Sequence, residues 1–187
     1  VAVRPQQRRA AGKDLAPLQL AVGVPGGVEA AVHSVKAAMA HDRQAALLKV
    51  DMANAYNTLH RAAVLAAVKE RAPCLLPYVQ WSYGSATNLH LVGASAGTPP
   101  VASSTGVRQG DTLGTFLFAL TLQHALELTR DAAPSVAIVA IADVVNMVGR
   151  ADALSTAFAT LTGGAAAVGL RVQAAKCAAT AGQPQET

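Results

Sequence analysis

Two apolar runs in this chain each end on an aspartate. Leu47-Leu48-Lys49-Val50 leads to Asp51, and Val136-Ala137-Ile138-Val139-Ala140-Ile141-Ala142 leads to Asp143. Short runs of Leu, Val and Ile read as buried strands. A carboxylate cannot follow such neighbours into the interior without a partner. Each strand is therefore expected to deliver its Asp at the mouth of the core, where the oxygens meet solvent or a cation. Two strand-end carboxylates, separated by a turn and a helix, form a frame for two-metal phosphoryl chemistry.

The remainder of the chain bounds that idea. With 187 residues, 52% hydrophobic and 14% charged, it can bury one sizeable core and is not a disordered polymer. The chain opens on Val1 with no charged-then-apolar leader, so a fragment or processed chain without a signal peptide is expected. The run ending at Ala142 is far too short to span a bilayer, so a soluble chain without a membrane partner is expected. Cys74 and Cys177 have no partners at metal-ligand spacing and read as free thiols of a reducing compartment. His33, His41, His60, His90 and His124 form no ligand pair and read as surface or helix residues. The net charge of +4 gathers at the start, in Arg4, Arg8, Arg9 and Lys13. Such a cluster suits a nucleic-acid backbone or a nucleoside triphosphate, and equally a solvated tail.

Residues 1 to about 20 have little periodicity and are expected to form a poorly ordered lead-in. Gly23-Val24-Pro25-Gly26-Gly27 turns into a helix carrying Val28, Val32, Val35 and Met39 on one face. It lacks the Gly-Lys-Ser/Thr ending of a phosphate loop. Arg61 to Glu70 reads as a helix that stops before Pro73. Tyr78, Trp81 and Tyr83 fit one helical face, with core packing preferred over base stacking. Asn88 to Val92 and Val101 to Ser104 read as paired strands. Asp111, in Gly106-Val107-Arg108-Gln109-Gly110-Asp111, is placed to cap a helix from Leu113 to about Leu128. Asp152 is placed to cap a helix that Gly163-Gly164 ends or loosens. This order predicts an α/β (α+β) sandwich, a mainly antiparallel sheet with helices packed on one face.

In that order the residues resemble the palm of a reverse transcriptase, the RNA-directed DNA polymerase of non-LTR retrotransposons. Lys49-Val50-Asp51-Met52-Ala53-Asn54-Ala55-Tyr56-Asn57 resembles its first motif, and Gly106 to Leu113 its second. Ala140-Ile141-Ala142-Asp143-Val144 stands in the place of the aromatic-X-Asp-Asp hairpin, and Gly169-Leu170-Arg171-Val172 with Lys176-Cys177 resembles the segment after it. Gln19 to Gly23 and Gly26-Gly27-Val28-Glu29 resemble the stretch before the palm. Arg4 with Arg8 and Arg9 resembles a remnant of the fingers. The resemblance implies residues 1–20 as that remnant and 21–187 as the palm, with missing fingers and thumb supplied by a parent polypeptide. It implies Asp51 and Asp143 as catalytic residues holding two Mg2+ ions. Tyr56 would stack under the sugar and exclude a 2′-hydroxyl. Gln109 and Gly110 would line the nucleotide site, with Arg4 and Lys176 facing the triphosphate. The implied partners are an RNA template, a DNA primer and deoxynucleoside triphosphates, in the nucleus or cytoplasm.

The departures have chemical content. Ile141 replaces the hairpin's aromatic residue, and Val144 replaces its second Asp, which removes one carboxylate and puts a Val where turn chemistry disfavours it. Thr112 and Thr115 stand where prolines are usual. Two outcomes stay open: a polymerase with an unusual two-Asp site, or an inactive palm relic that binds nucleic acid or protein. A third, an RNA-directed RNA polymerase palm, fits poorly with the bulk of Tyr56.

Overall fold

The computed structural model describes residues 14–93, 95 and 97–181. Its centre is a four-stranded antiparallel sheet. The strands are β1 (Ala46–Asp51), β4 (Ala137–Ile141), β5 (Val144–Gly149) and β6 (Ala178–Ala181), in the order β4-β5-β1-β6. β2 (Thr87–Leu89) and β3 (Val101–Ser103) pair separately as a small hairpin. The helices are α1 (Gly27–His41), α2 (Ala55–Thr58), α3 (Arg61–Arg71), α4 (Leu76–Tyr83), α5 (Gly114–Ala132) and α6 (Ala151–Ala167). This is the expected mixture of helices with an antiparallel sheet.

Strand alternation divides the sheet into two faces. Val50, Met52, Ala140, Val145 and Met147 join the main core with Leu117, Phe118, Leu154 and Leu161 from α5 and α6. Val139 and Ile141 point the other way, onto Leu20, Ala31 and Val35. The large helical layer thus lies on one face, while α1 lies against the opposite face. That second cover is a departure from the expected one-sided packing.

α1 also buries different residues from those its periodicity indicates. Gly27 and Ala31 are its buried positions, whereas Val28 and Val32 are 59% and 47% exposed. The reason is close approach: a Cβ on Gly27 would collide with the Leu20 carbonyl. Only small residues fit where this helix meets the chain.

The loose lead-in is corrected for its described part. Leu15, Leu18 and Leu20 are buried, as is Gln19. Leu20 donates its N–H to the Ala140 carbonyl at 2.9 Å, and Ala140 donates to Leu18 at 2.7 Å. These bonds occupy backbone groups on the outer edge of β4, which would otherwise stand open. Residues 1–13, with Arg4, Arg8, Arg9 and Lys13, lie outside the described residues.

Two further expectations change. Gly163-Gly164 does not end α6, which runs on to Ala167. A Cβ on Gly164 would come within 2.8 Å of the Ala125 Cβ, so the glycine lets α6 lie close to α5. Of the aromatic trio, Tyr83 is buried while Trp81 is 80% exposed. No helix among the described residues is long and apolar enough to cross a membrane.

Candidate active site

Asp51 is the last residue of β1, on the face opposite Val50 and Met52. Neighbouring segments hold its backbone: Gln173 donates to its carbonyl at 2.8 Å, and its N–H points at the Cys177 Sγ at 3.5 Å. Its side chain is 15% exposed, with the Lys176 Nζ 4.0 Å from Oδ1. That Oδ1 is buried without a hydrogen-bond partner. A buried carboxylate oxygen left without a hydrogen bond is costly, and such an atom commonly marks a site for an ion or water.

The second strand-end Asp lies in a hairpin turn. β4 and β5 pair from Ala137↔Val148 to Ile141↔Val144, leaving Ala142 and Asp143 as the turn. The expectation of Val144 at the hairpin tip therefore does not hold. Val144 is the first residue of β5, and the unfavourable turn position falls instead on Ala142, whose φ is 52°. Gln19 holds it there: Nε2 donates to the Ala142 carbonyl at 3.0 Å, and Oε1 accepts the Ala142 N–H at 2.9 Å.

The β1–β5 register places Asp51 opposite Val144 and Lys49 opposite Asn146. Cross-strand partners share a face. Val144 thus stands beside Asp51. Among the described residues, no three His, Cys, Asp or Glu side chains gather in a group able to hold a metal. The Asp51 Oδ1, without a hydrogen-bond donor, fits a cation ligand, but the described residues around it supply no group of three such ligands.

Tyr56 sits on α2, near the end of the first motif. Its ring stacks on Phe118 at 4.8 Å between centroids and 12° between planes, and its hydroxyl donates to Thr115 Oγ1 at 3.2 Å. Thr115, one of the departures from proline, thereby fixes the half-buried tyrosine.

The second motif is anchored to the first. Gly106 donates to Leu59 at 2.8 Å and Val107 to Tyr56 at 2.7 Å. Gly106 has φ 69°, and a Cβ there would strike the Tyr56 and Asn57 backbone. Gln109 and Gly110 follow, both exposed, Gly110 at φ 85°. Asp111 Oδ1 accepts the Leu113 N–H at 2.9 Å, while the N-cap of α5 is Leu113 without a side-chain cap. The expected cap is thus a turn one step earlier. Asp111 Oδ2 accepts the Tyr83 hydroxyl.

Sequence reasoning missed what holds this loop. Arg61 is 8% exposed, donating to Gly106 O at 3.1 Å, Ser103 O at 2.8 Å, Ser85 O at 3.2 Å and Ser103 Oγ at 2.8 Å. Arg108 donates to Ser82 O at 2.8 Å and to Thr87 Oγ1 at 3.2 Å. The guanidinium carbons lie 5.4 Å and 5.0 Å from the Tyr83 ring centroid. Burial, then the neighbouring Arg108, holds Arg61 below its ordinary pKa, against the pull of Tyr83. Burial first, with the hydrogen bond to Asp111, pushes the Tyr83 hydroxyl up to about 12. The partners are mainly backbone carbonyls far away in sequence, so no local pattern announced them.

The structure therefore brings Asp51, Val144 and Lys176 together, with Asp143 at the adjoining turn. Tyr56 and the Gln109-Gly110 loop are linked through Gly106 and Val107. Arg4 lies outside the described residues.

A strand-end Asp, a hairpin ending in Asp and a helical layer behind one sheet face make up a polymerase palm fold. The sequence pattern of the reverse transcriptase (RNA-dependent DNA polymerase) family matches residues 8–186, and the chain belongs to that family. No curated protein matches it. Among solved structures, it resembles apo telomerase from Candida tropicalis with a TM-score of 0.71 at 11% identity, covering 96% of this chain and 36% of that one. A form of that telomerase truncated from its C-terminal domain gives 0.61 at 11%, covering 97% and 41%. Candida albicans telomerase in complex with a TWJ fragment of telomeric RNA gives 0.59 at 11%, covering 97% and 34%. The chain thus spans about a third to two fifths of these solved chains, and at such identities the likeness is one of fold.

Proposed function

We propose that this chain is a palm domain for RNA-directed DNA synthesis of the non-LTR retrotransposon type, with turnover lowered by Val144. The observation that carries the reading is the Oδ1 of Asp51, buried without a hydrogen-bond partner, on a strand end paired with Val144, the residue directly after Asp143. Asp51 and Asp143 would hold divalent ions. Such ions, when bound, lower the pKa of a 3′-hydroxyl and neutralise charge on the leaving pyrophosphate. The chain's own residues would do the positioning. Tyr56, fixed by Phe118 and Thr115, would present a rigid edge to the sugar, and the Gln109-Gly110 loop would meet the nucleotide. Lys176 would bring positive charge to the triphosphate, as would Arg4.

The partners on this reading are an RNA template, a DNA primer and deoxynucleoside triphosphates, with fingers and thumb supplied by a parent polypeptide in the nucleus or cytoplasm. The inactive relic is the second reading, and the shortage of ligands around Asp51 favours it. Primer extension on an RNA template with Mg2+ separates the two. Extension that falls at least about 100-fold in Asp51→Asn supports the polymerase. Extension equal in both proteins would defeat it, and none in either would leave the relic.

A further inference from the structure

Gln109 and Gly110 are the two central residues of a β-turn closed by the Asp111 N–H on the Arg108 carbonyl at 3.2 Å. Gly110, at φ 85°, takes the positive angle that a type II turn requires at its third residue. Both central residues are exposed, and a Cβ built on Gly110 meets nothing within 4 Å. The turn stands clear of the protein, so its pose is set at its two ends. Both ends converge on one hydroxyl. Tyr83 accepts the Arg108 N–H at 3.2 Å and donates to Oδ2 of Asp111, while Oδ1 accepts the Leu113 N–H at 2.9 Å. The residue carrying that hydroxyl is 1% exposed, and its ring lies under the guanidinium groups of Arg61 and Arg108.

We infer that Tyr83 is a positioning residue for nucleotide recognition, its hydroxyl holding both ends of the Gln109-Gly110 turn in the pose that meets the incoming nucleotide. The inference rests on the proposed reading for what the turn meets. A buried tyrosine hydroxyl needs one partner. This one has two, and they are the residues on either side of the exposed pair. Without the hydroxyl, the Arg108 side chain still holds Ser82, but the Arg108 N–H and the Asp111 carboxylate lose their common anchor and the turn is free to tilt. Apparent nucleotide affinity then falls with the fraction of time the turn spends in the productive pose. Being buried, Tyr83 reaches the nucleotide only through the turn, so the step after binding should change little.

The test is Tyr83→Phe, which keeps the ring and removes the hydroxyl alone. In single-nucleotide extension on an RNA template, KM for the deoxynucleoside triphosphate should rise about tenfold, as for a turn productive about a tenth of the time, with kcat nearly unchanged. Tyr78→Phe, on the same helix but with no bond to the turn among the described residues, should alter neither. Hydrogen exchange should quicken at the Arg108 and Asp111 amides by a larger factor than along β1. A Tyr83→Phe protein with the wild-type KM would overturn the inference while leaving the polymerase reading intact. So would one that loses kcat at unchanged KM, the mark of a smaller folded fraction. If the unaltered chain extends no primer, the polymerase reading fails and the comparison is made on binding of a fluorescent deoxynucleoside triphosphate. Binding about tenfold weaker in Tyr83→Phe keeps the positioning role; equal binding, or none by either protein, overturns it.

Discussion

Gln19 and Ala142 exchange two hydrogen bonds across 123 residues, the Gln19 amide donating to the Ala142 carbonyl and accepting its N–H. A residue before the first helix thereby holds the turn that presents Asp143. Gln19 is fully buried, so truncating it leaves two turn backbone groups without their partner. Gln19→Ala should cost about 2 kcal/mol, read as a lower urea midpoint at unchanged m-value. Ala142→Gly relieves the left-handed strain, worth about 1–2 kcal/mol, against a smaller loss to chain entropy. A small net stabilisation is expected.

Gly106 and Arg61 form a second dependence. Gly106→Ala forces a Cβ against the Tyr56 and Asn57 backbone and should destabilise by more than about 2 kcal/mol. Arg61→Met should cost about 3 kcal/mol, because Ser103 O and Gly106 O lose buried donors. Equal thermal midpoints for Arg61→Met and wild type would contradict this account of the loop.

The pH limits of stability follow from two groups. Arg71 holds Glu127 through paired bonds at 2.8 and 2.6 Å, and this lowers the Glu127 pKa. Glu127 should therefore contribute stability above the usual glutamate pKa of about 4.3, lost as pH falls through the lower folded value. Tyr83 runs the opposite way: its hydroxyl is raised to about 12. Stability is complete below the unfolded value of about 10 and is lost as pH rises toward about 12. Denaturant midpoints across pH should fall at both ends, with a shallower acid limb in Glu127→Gln and a shallower alkaline limb in Tyr83→Phe.

Tyr56→Ala should raise ribonucleotide incorporation relative to deoxyribonucleotide by about tenfold or more, since a rigid ring then no longer crowds the 2′ position. Thr115→Val, which removes the acceptor for the Tyr56 hydroxyl, should shift the ratio in the same direction by less. The readout is the ratio of kcat/KM values in single-nucleotide extension. An unchanged ratio in Tyr56→Ala would remove Tyr56 from the sugar site.

The strands leading to the two Asp residues were legible because their apolar runs have strand length, and α5 because Leu117 and Leu120, after its N-cap Leu113, keep its period. α1 was misread in its buried face. A hydropathy pattern weights Val over Gly and Ala, whereas Gly27 and Ala31 are buried because the helix lies against the Leu20 backbone. The Arg61–Tyr83–Arg108 cluster was illegible for another reason. Its bonds run mostly to carbonyls, which every residue owns, so only the fold selects them. That Val144 follows Asp143 was visible in sequence, but its place beside Asp51 came from the strand register.

The central claim is that Val144 occupies a ligand position next to Asp51, and Val144→Asp tests it most directly. Position 144 is half-exposed at the groove between α1 and the sheet, so a carboxylate there meets solvent and should not unfold the sheet. Primer extension on an RNA template, measured across Mg2+ concentrations, should show at least a tenfold gain in rate or in apparent Mg2+ affinity over the unaltered chain, about the weight of one supporting group at a metal site. A Val144→Asp protein that stays folded, yet extends no faster and needs no less Mg2+, would contradict the account.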